Sequence, residues 1–227
     1  MYDFHTHTFL SDGVLAPIEL IRRALAVGYK VMAITDHVGE GNLEFILKIL
    51  IKDCEAASKR WDILVLPGVE ITHTPKEDIA PLAKEARKMG ARVVNVHGET
   101  LVEPVQPGTN WAAVNSPDVD ILAHPGFLTL EEASTAAKNG IFLEVSARKG
   151  HSLSNGHVVK MAREANANLR LDSDAHEPED LLSHDFAKNI ALGAGLSETD
   201  TCDLLDRNPK TLLSKIGISD EQLKAQC

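Results

Sequence analysis

The stretch Val31-Met32-Ala33-Ile34-Thr35-Asp36-His37 contains the pattern from which the fold is predicted. A continuous apolar run, typical of a parallel strand with both faces buried, leads directly into side chains that can bind a metal ion. The same succession recurs along the chain. Strands are therefore predicted at residues 2–5, 31–35, 62–66, 92–96, 119–123, 141–145 and 169–171.

Longer segments with helical periodicity separate these strands. Pro17 and Pro81 suit the first turn of a helix, and Gly28 and Gly90 suit helix ends. Helices are predicted at residues 17–28, 43–60, 81–90, 130–139, 154–165, 180–193, 198–207 and 209–216, with a break at Asn208-Pro209. Seven strand-helix units with nearly continuous apolar strands indicate a parallel sheet covered by helices.

Such a sheet can be an open doubly wound sheet or a closed barrel. Ligand-type residues follow at least six of the seven predicted strands. A barrel would bring them into one ring over its carboxyl-terminal face, whereas the outer strands of an open sheet would be too far apart to share a centre. We therefore predict an α/β fold, a TIM-barrel-like (β/α) barrel of seven parallel strands. Residues 1–227 are expected to form one domain with a C-terminal helical segment at 196–227, and the tail beyond Ser219 is expected to fray.

Charge and composition limit the possible partners. The 227 residues include 23 basic and 33 acidic ones, a formal net charge of −10, and 4% aromatic residues. These values disfavour a basic groove or a stacking platform for long nucleic acid. A small phosphorylated substrate stays possible, because bound cations reverse the local field. Widely separated Cys54, Cys202 and Cys227, and apolar runs far shorter than the ~18 residues of a membrane span, predict a cytoplasmic protein without a membrane segment.

Histidines mark the ends of the predicted strands. His5 and His7 leave a strand on the same face and can bind one cation together. Such a pair alone is more often incidental. However, six of the ten histidines follow strands, namely His5, His7, His37, His97, His124 and His176, whereas His73, His151, His157 and His184 do not. Together with Asp12, Glu70 and Asp174 they favour a polynuclear metal centre.

Glu70 is the most important of these carboxylates. It can give one oxygen to each of two cations, and Gly68 is expected to let the chain turn this side chain inward. Imidazole and carboxylate ligands without thiolates suit zinc, manganese or iron. Two such cations roughly 3.5–4 Å apart would share a water with its pKa lowered toward ~7, and the bridging hydroxide would attack phosphorus in line. A third cation would hold another phosphate oxygen and stabilise the leaving alkoxide.

These motifs resemble those of the PHP family, named for polymerase and histidinol phosphatase. The resemblance is carried, in the order of the family, by His5-Thr6-His7 with Ser11-Asp12-Gly13, Thr35-Asp36-His37, Gly68-Val69-Glu70, His97, Ala123-His124-Pro125 and Ser173-Asp174-Ala175-His176. It implies a distorted seven-stranded barrel with three divalent metal ions. It also implies that the first metal is bound by His5, His7, Glu70 and Asp174, the second by Glu70, His97 and His124, and the third by Asp12, His37 and His176. Degenerate relatives that serve as structural subunits of an RNA-processing enzyme lose these residues.

Other polar residues are assigned supporting roles. Arg148 is expected to bind a phosphate group through paired hydrogen bonds, and its alternative is a solvated loop arginine. Lys149 and His151 are secondary candidates for this contact, and for His73 an ordinary loop position is favoured over one facing the substrate. Hydrogen bonds that orient ligand side chains are expected from Glu144, Asp36 and Asp172.

The sequence thus predicts a metal-dependent phosphoesterase that acts on a small phosphomonoester such as histidinol phosphate. Glu70 and Asp174 are the residues expected to be essential for catalysis. A nuclease or cyclic-nucleotide phosphodiesterase is a second hypothesis. A third is a non-catalytic scaffold or RNA-binding subunit, against which the intact ligand set argues. Hydrolysis of C–N bonds by the same hydroxide also stays open.

Overall fold

The structure, a computed structural model, describes residues 1–219 and has a nearly closed barrel of parallel strands at its centre. The strands are β1 (Tyr2–Asp3), β2 (Val31–Ile34), β3 (His37–Val38), β4 (Leu64–Ile71), β5 (Val93–His97), β6 (Ile121–Ala123), β7 (Phe142–Ser146) and β8 (Leu169–Asp172). β2 and β3 pair successively with β4 and occupy one position of the barrel. The strand order β1-β2-β4-β5-β6-β7-β8 confirms the predicted distorted seven-stranded, TIM-barrel-like α/β fold.

Two expectations concern the chain as a whole. The fraying expected beyond Ser219 lies outside the described residues. That residues 1–227 form one domain stays a prediction.

None of the helices found among residues 1–219 is both long and apolar enough to cross a membrane.

The barrel closes between β1 and β8. The backbone amide of Asp174 donates a hydrogen bond to the carbonyl of His5 at 2.9 Å, just beyond the carboxyl ends of the two strands. Nearer the amino ends, the amide of Phe4 donates to the carboxylate of Asp172 at 2.8 Å. The closure therefore combines backbone pairing with a buried side chain, and it lies beside predicted ligands.

Helices connect the strands and cover the barrel. They are α1 (Pro17–Ala26), α2 (Leu43–Ser58), α3 (Ile79–Met89), α4 (Thr109–Val114), α5 (Leu130–Asn139), α6 (Asn155–Ala165), α7 (His184–Gly193), α8 (Glu198–Cys202) and α9 (Asn208–Lys215). Gly90 ends α3 with a φ of 109°, a left-handed conformation that glycine adopts without strain. The side chain of Thr129 caps α5 by accepting a hydrogen bond from the amide of Glu132.

The third strand extends further than predicted. The sequence predicts that Pro67-Gly68 ends a strand at residues 62–66, whereas β4 runs from Leu64 to Ile71. The carbonyl of Pro67 accepts a hydrogen bond from the amide of Arg92 at 2.7 Å, so the proline removes only a donor from the ladder. The strand therefore continues up to the level of Glu70.

Two helix predictions near the C-terminus are wrong. The helix predicted from residue 180 begins at His184, because the side chain of Ser183 caps its first turn. The break predicted at Asn208-Pro209 is absent, because a π-helical turn at Asp203–Arg207 joins α8 to α9. Pro209 lies in the first turn of α9, where its missing N–H is not needed for a hydrogen bond within the helix. Helix α4 was not predicted, because its six residues are too few to show periodicity. Other predicted boundaries agree within two residues.

An apolar layer fills the amino-terminal half of the barrel. It consists of Phe4, Val31, Ala33, Leu66, Val93, Ile121 and Phe142, closed from below by Leu212, Leu213 and Ile218. Along β5, alternation places Asn95 and His97 on the same face as Val93, so the interior becomes polar toward the carboxyl ends. A larger core lies between the strands and the outer helices. With one end plugged, the carboxyl-terminal mouth is left for a functional site.

Arg170 provides a test of how the barrel is held together. The side chain is 1% exposed, its guanidinium donates to Asp172 Oδ1 at 2.6 Å, and its Cζ lies 4.8 Å from the ring centroid of Phe4. Replacement by methionine (Arg170→Met) would leave the buried carboxylate without this partner. We expect the free energy of unfolding, measured by urea denaturation, to fall by about 3–5 kcal/mol.

The matched control is Arg163→Met. Arg163 also pairs with a carboxylate, that of Asp200 at 2.7 Å, but both side chains are about half exposed. Its loss should lower the free energy of unfolding far less than the loss of Arg170, because water screens an exposed pair. Equal losses in the two variants would contradict a special role for the buried arginine.

Candidate metal centre

The carboxyl ends of β1, β4 and β8 bring four predicted ligands together. His5 and His7 follow β1, Glu70 lies near the end of β4 and Asp174 follows β8. His5 Nε2 is 3.3 Å from Glu70 Oε1, and His7 Nε2 is 3.2 Å from Asp174 Oδ1. A cation with ligands at about 2.0–2.2 Å keeps tetrahedral ligand atoms roughly 3.3–3.6 Å apart. The four side chains are therefore spaced to suit one cation.

Glu70 connects this group with the other predicted ligands. Besides His5, its Oε1 faces His124 Nε2 at 3.4 Å. Its Oε2 lies 2.7 Å from His37 Nδ1 and 3.7 Å from His7 Nε2. Each oxygen of the carboxylate thus faces two imidazoles, an arrangement that suits a ligand shared between cations.

Three predicted ligands meet at the rim. Asp12 Oδ1 lies 3.4 Å from His37 Nε2 and 3.1 Å from His176 Nε2. The ring of His7 lies against that of His176, with centroids 4.2 Å apart, and joins this group to the first. The Asp12 side chain is 54% exposed, so this group is the most open to solvent.

His97 and His124, the remaining predicted ligands, lie side by side with ring centroids 4.4 Å apart. His97 Nε2 lies 3.0 Å from Glu103 Oε2. The ring of His151 stacks on His124 with centroids 4.0 Å apart. Two residues outside the predicted ligand set, Glu103 and His151, therefore lie beside these two ligands.

Buried ligand atoms without partners test whether cations fit. Within residues 1–219, no hydrogen-bond partner is found for His5 Nε2, either ring nitrogen of His7, Glu70 Oε1 or His124 Nδ1. Leaving such buried polar atoms unsatisfied costs free energy. Nitrogen and oxygen donors without thiolates, spaced as above, suit divalent cations. The residues therefore fit a metal centre.

Backbone strain occurs at two ligands. His124 has a φ of 25° and Asp174 a φ of 53°. Residues other than glycine rarely adopt positive φ, and each such position costs of order 1–3 kcal/mol. Both residues follow the end of a strand, and both side chains contact other predicted ligands in the centre.

The electrostatic environment sets the charge of the ligands. Burial, with His37 nearby, lowers the pKa of His7 to about 3, and burial lowers the pKa of His124 to about 4. Burial opposes ionisation of Glu70, but the imidazoles of His5 and His37 outweigh it and hold the pKa of Glu70 well below its usual value. Near neutral pH, His7 and His124 are thus neutral and Glu70 is ionised, the forms that bind metal ions. Burial also opposes protonation of His5 and His37, but the carboxylates around them outweigh it and raise both pKa values, that of His37 to about 10, so a bound cation would displace a proton from each.

Glu144 orients two of the ligands. Its Oε1 lies 2.6 Å from His5 Nδ1, and its Oε2 accepts a hydrogen bond from the backbone amide of His124 at 2.8 Å. With Nδ1 engaged, His5 presents Nε2 to the centre. This position agrees with the orienting role predicted for Glu144.

The same role predicted for Asp36 and Asp172 is wrong. Asp36 accepts hydrogen bonds from the amide and hydroxyl of Thr8 and the hydroxyl of Ser11. Asp172 accepts from the Phe4 amide and from a buried arginine. Both carboxylates accept hydrogen bonds from nearby groups other than the ligand imidazoles. Asp36 thereby holds the loop after β1, and Asp172 holds the closure of the barrel.

The structural reason for glycine at position 68 differs from the predicted one. A Cβ at this position would lie 2.8 Å from Thr35 Cγ2 and 2.8 Å from the carbonyl oxygen of Val93. Glycine is therefore required by the close approach of neighbouring strands inside the barrel, rather than by a turn. It lies two residues before Glu70, on the same face of β4.

A cavity of about 360 Å³ covers the centre. Arg148 lines it, and its Nη1 donates a hydrogen bond to the carbonyl of Asp174 at 3.3 Å. Lys149 is exposed and lies outside the lining. The structure thus places Arg148, but not its neighbour, where a phosphate group could be bound.

Sequence reasoning missed Glu103 and underrated His73 and His151, which also line the cavity. His73 follows the true end of β4, so recognising that β4 reaches Ile71 would have indicated it. His151 and Glu103 lie on loops after β7 and β5, several residues beyond the strand ends. No local pattern in the sequence indicates that these two loops converge.

The chain belongs to the PHP family, since the family model described as PHP domain matches residues 3–171. An uncharacterized protein of Methanocaldococcus jannaschii is 46% identical, with 95% of this chain and 99% of that protein covered. A probable phosphatase of Thermoanaerobacter sp. is 29% identical, with 86% and 87% covered. The ribonuclease P protein component 3 of Methanosarcina mazei is 27% identical, with 94% and 89% covered.

A solved structure with a similar fold is the histidinol phosphate phosphatase of Lactococcus lactis, complexed with zinc, L-histidinol and phosphate. The TM-score is 0.55, and the alignment covers 96% of this chain and 94% of that protein. Because identity is 14%, this likeness shows the shared fold alone.

Glu144→Gln tests the orienting role. The amide would keep the shape but replace a charged acceptor of His5 Nδ1 with a neutral group that presents either oxygen or nitrogen. We expect cation affinity, measured by isothermal titration of chelator-treated protein, to fall about 10–100-fold. The exposed Glu131→Gln is the control, and equal affinity in both variants would remove Glu144 from this role.

Proposed function

We propose that this protein is a metal-dependent phosphoesterase that hydrolyses a small phosphomonoester, as a histidinol phosphatase does. The main support is the convergence of the nine predicted ligands at one mouth of the barrel. The cavity above them, about 360 Å³, is of a size that suits a small molecule. Arg148 at its wall adds a positive group for an anionic substrate.

The centre is proposed to hold three divalent cations, whether zinc, manganese or iron. The first would be held by His5, His7, Glu70 and Asp174, the second by Glu70, His97 and His124, and the third by Asp12, His37 and His176. When bound, such cations lower the pKa of a shared water toward ~7 and neutralise phosphate oxygens, so that no nucleophilic side chain is needed.

The protein's own residues would position the reacting groups. Glu144 holds His5 Nδ1 and keeps Nε2 directed at the centre. Arg148 would bind phosphate oxygens through paired hydrogen bonds, which its planar guanidinium favours. The apolar layer beneath the centre excludes water from one side of the ligands and strengthens electrostatic interactions there.

A specific observation favours a second candidate, a non-catalytic scaffold that associates with RNA: the similarity to a ribonuclease P component extends over most of both chains. The net charge of −10 and the complete ligand set count against it. Turnover assays on metal-replete protein, with phosphomonoesters including histidinol phosphate and with phosphodiesters, separate the candidates. Hydrolysis of diesters alone would favour a nuclease or phosphodiesterase, and no turnover would favour the scaffold.

Glu70→Gln and Asp174→Asn should abolish phosphatase turnover. Each change removes a buried anion that faces two or more ligand imidazoles. Far-UV circular dichroism should change little, since neither residue packs in the apolar layer. Unchanged kcat in either metal-replete variant would remove that residue from the mechanism.

Arg148→Ala should mainly raise KM. Hydrogen bonds to charged groups contribute about 1.5–3 kcal/mol, which corresponds to a KM increase of roughly 10–150-fold. Lys149→Ala is the control, because Lys149 is on the same loop but outside the cavity. A constant KM for every phosphomonoester in Arg148→Ala would show that the arginine does not bind the phosphate.

A further inference from the structure

We propose that the second cation has two ligands beyond the predicted set, His151 and Glu103. The inference rests on the proposed function in one respect, the presence of a cation beside His97 and His124. The side chains of His97, His124, His151 and Glu103 would bind this cation together with the shared carboxylate of Glu70.

The position of His151 supports this assignment. One ring nitrogen from each of His97, His124 and His151 lies within 4.8 Å of the others. His151 is 5% exposed, and its Nε2 lies 3.8 Å from Asp174 Oδ2. A third imidazole thus points at the same place as two predicted ligands, from a different loop.

The hydrogen bonds of His151 are those of a ligand imidazole. Its Nδ1 lies 2.6 Å from the hydroxyl of Thr100, as the Nδ1 of His37 lies 2.7 Å from the hydroxyl of Thr72. Such a contact fixes the ring and leaves Nε2 for the metal. Nδ1 is likewise engaged in the predicted ligands His5, His97 and His176.

Glu103 supplies the carboxylate. Its Oε2 lies 3.0 Å from His97 Nε2, and its Oε1 lies 3.4 Å from His151 Nε2. The loop that carries it is fixed at its base, where Glu99 Oε1 accepts hydrogen bonds from the amides of Gly108 and Asn110 at 2.9 and 3.0 Å. The loop therefore holds Glu103 against His97 and His151, at separations suited to ligands of one cation. A third imidazole, that of the more exposed His73, has its Nε2 3.4 Å from Glu103 Oε2. The competing explanation is an ion pair between these side chains that has no part in cation binding.

The experiment compares cation binding by full-length variants without relying on activity. Chelator-treated protein is titrated with Zn²⁺ in the presence of a competing chelator, and Co²⁺-loaded protein is examined by visible absorption. Thr100→Val removes the hydrogen-bond partner of His151 Nδ1 and should lower the affinity for one cation about 10–100-fold. His151→Ala and Glu103→Gln remove proposed ligands and should lower that affinity at least as much. The cobalt spectrum should change in both ligand variants. The controls are His184→Ala and Glu131→Gln, which alter exposed residues of the same types.

The outcomes separate this inference from the proposed function. Losses below about fivefold in His151→Ala and Glu103→Gln, with unchanged cobalt spectra, would show that neither is a ligand. Thermal unfolding of the chelator-treated variants identifies a folding defect, and Thr100→Val then decides, because it leaves both ligands in place. If the wild-type chain binds no cation, both proposals fail. Cation binding that depends on His151 without turnover of any phosphate ester would reject the proposed function and support the ligand assignment.

Discussion

The buried carboxylate of Glu70 is the group on which the rest of the centre depends. A buried anion is costly unless charged or hydrogen-bonding partners surround it, and the barrel provides them as imidazoles that arrive from several strand ends. His5 and His124 face one oxygen, and His7 and His37 face the other. The same contacts that compensate the anion also bring the nitrogens of the separate ligand groups within a few ångströms of each other. Displacing this one side chain would therefore disturb every ligand group at once.

The barrel makes this convergence possible by separating apolar and polar layers. Helix α9 plugs the amino-terminal end, so the ligands lie above packed side chains and below a cavity open to solvent. Along β4, Leu66 belongs to the apolar layer, Gly68 allows close contact with Thr35, and Glu70 reaches the centre. Three residues on one face of β4 thus lead from the apolar layer to the metal centre. This succession explains how one strand contributes both to the apolar layer and to the predicted ligands.

The sequence predicts those parts of the site that depend on strand periodicity. His97 ends β5, and His5 and His7 follow β1 at the mouth where the parallel arrangement gathers side chains. The contribution of Glu103 depends instead on a loop fixed by Glu99, a long-range contact without a local signature. Asp36 was misassigned for a related reason: a short carboxylate binds whichever amides and hydroxyls lie nearest, and only the folded chain determines which they are.

The location of the centre also bears on the stability of the barrel. β1 and β8 meet where His5 and His7 lie on one side of the closure and Asp174 and His176 on the other. A cation held by ligands from both sides would join segments separated by about three quarters of the chain, and its binding free energy would add to the stability of the folded state alone. Closing so long a loop costs entropy that grows with the logarithm of its length, and cation binding at this point would offset part of that cost. The cations proposed for catalysis would therefore also hold the first and last strands together, which couples the integrity of the site to the closure of the barrel.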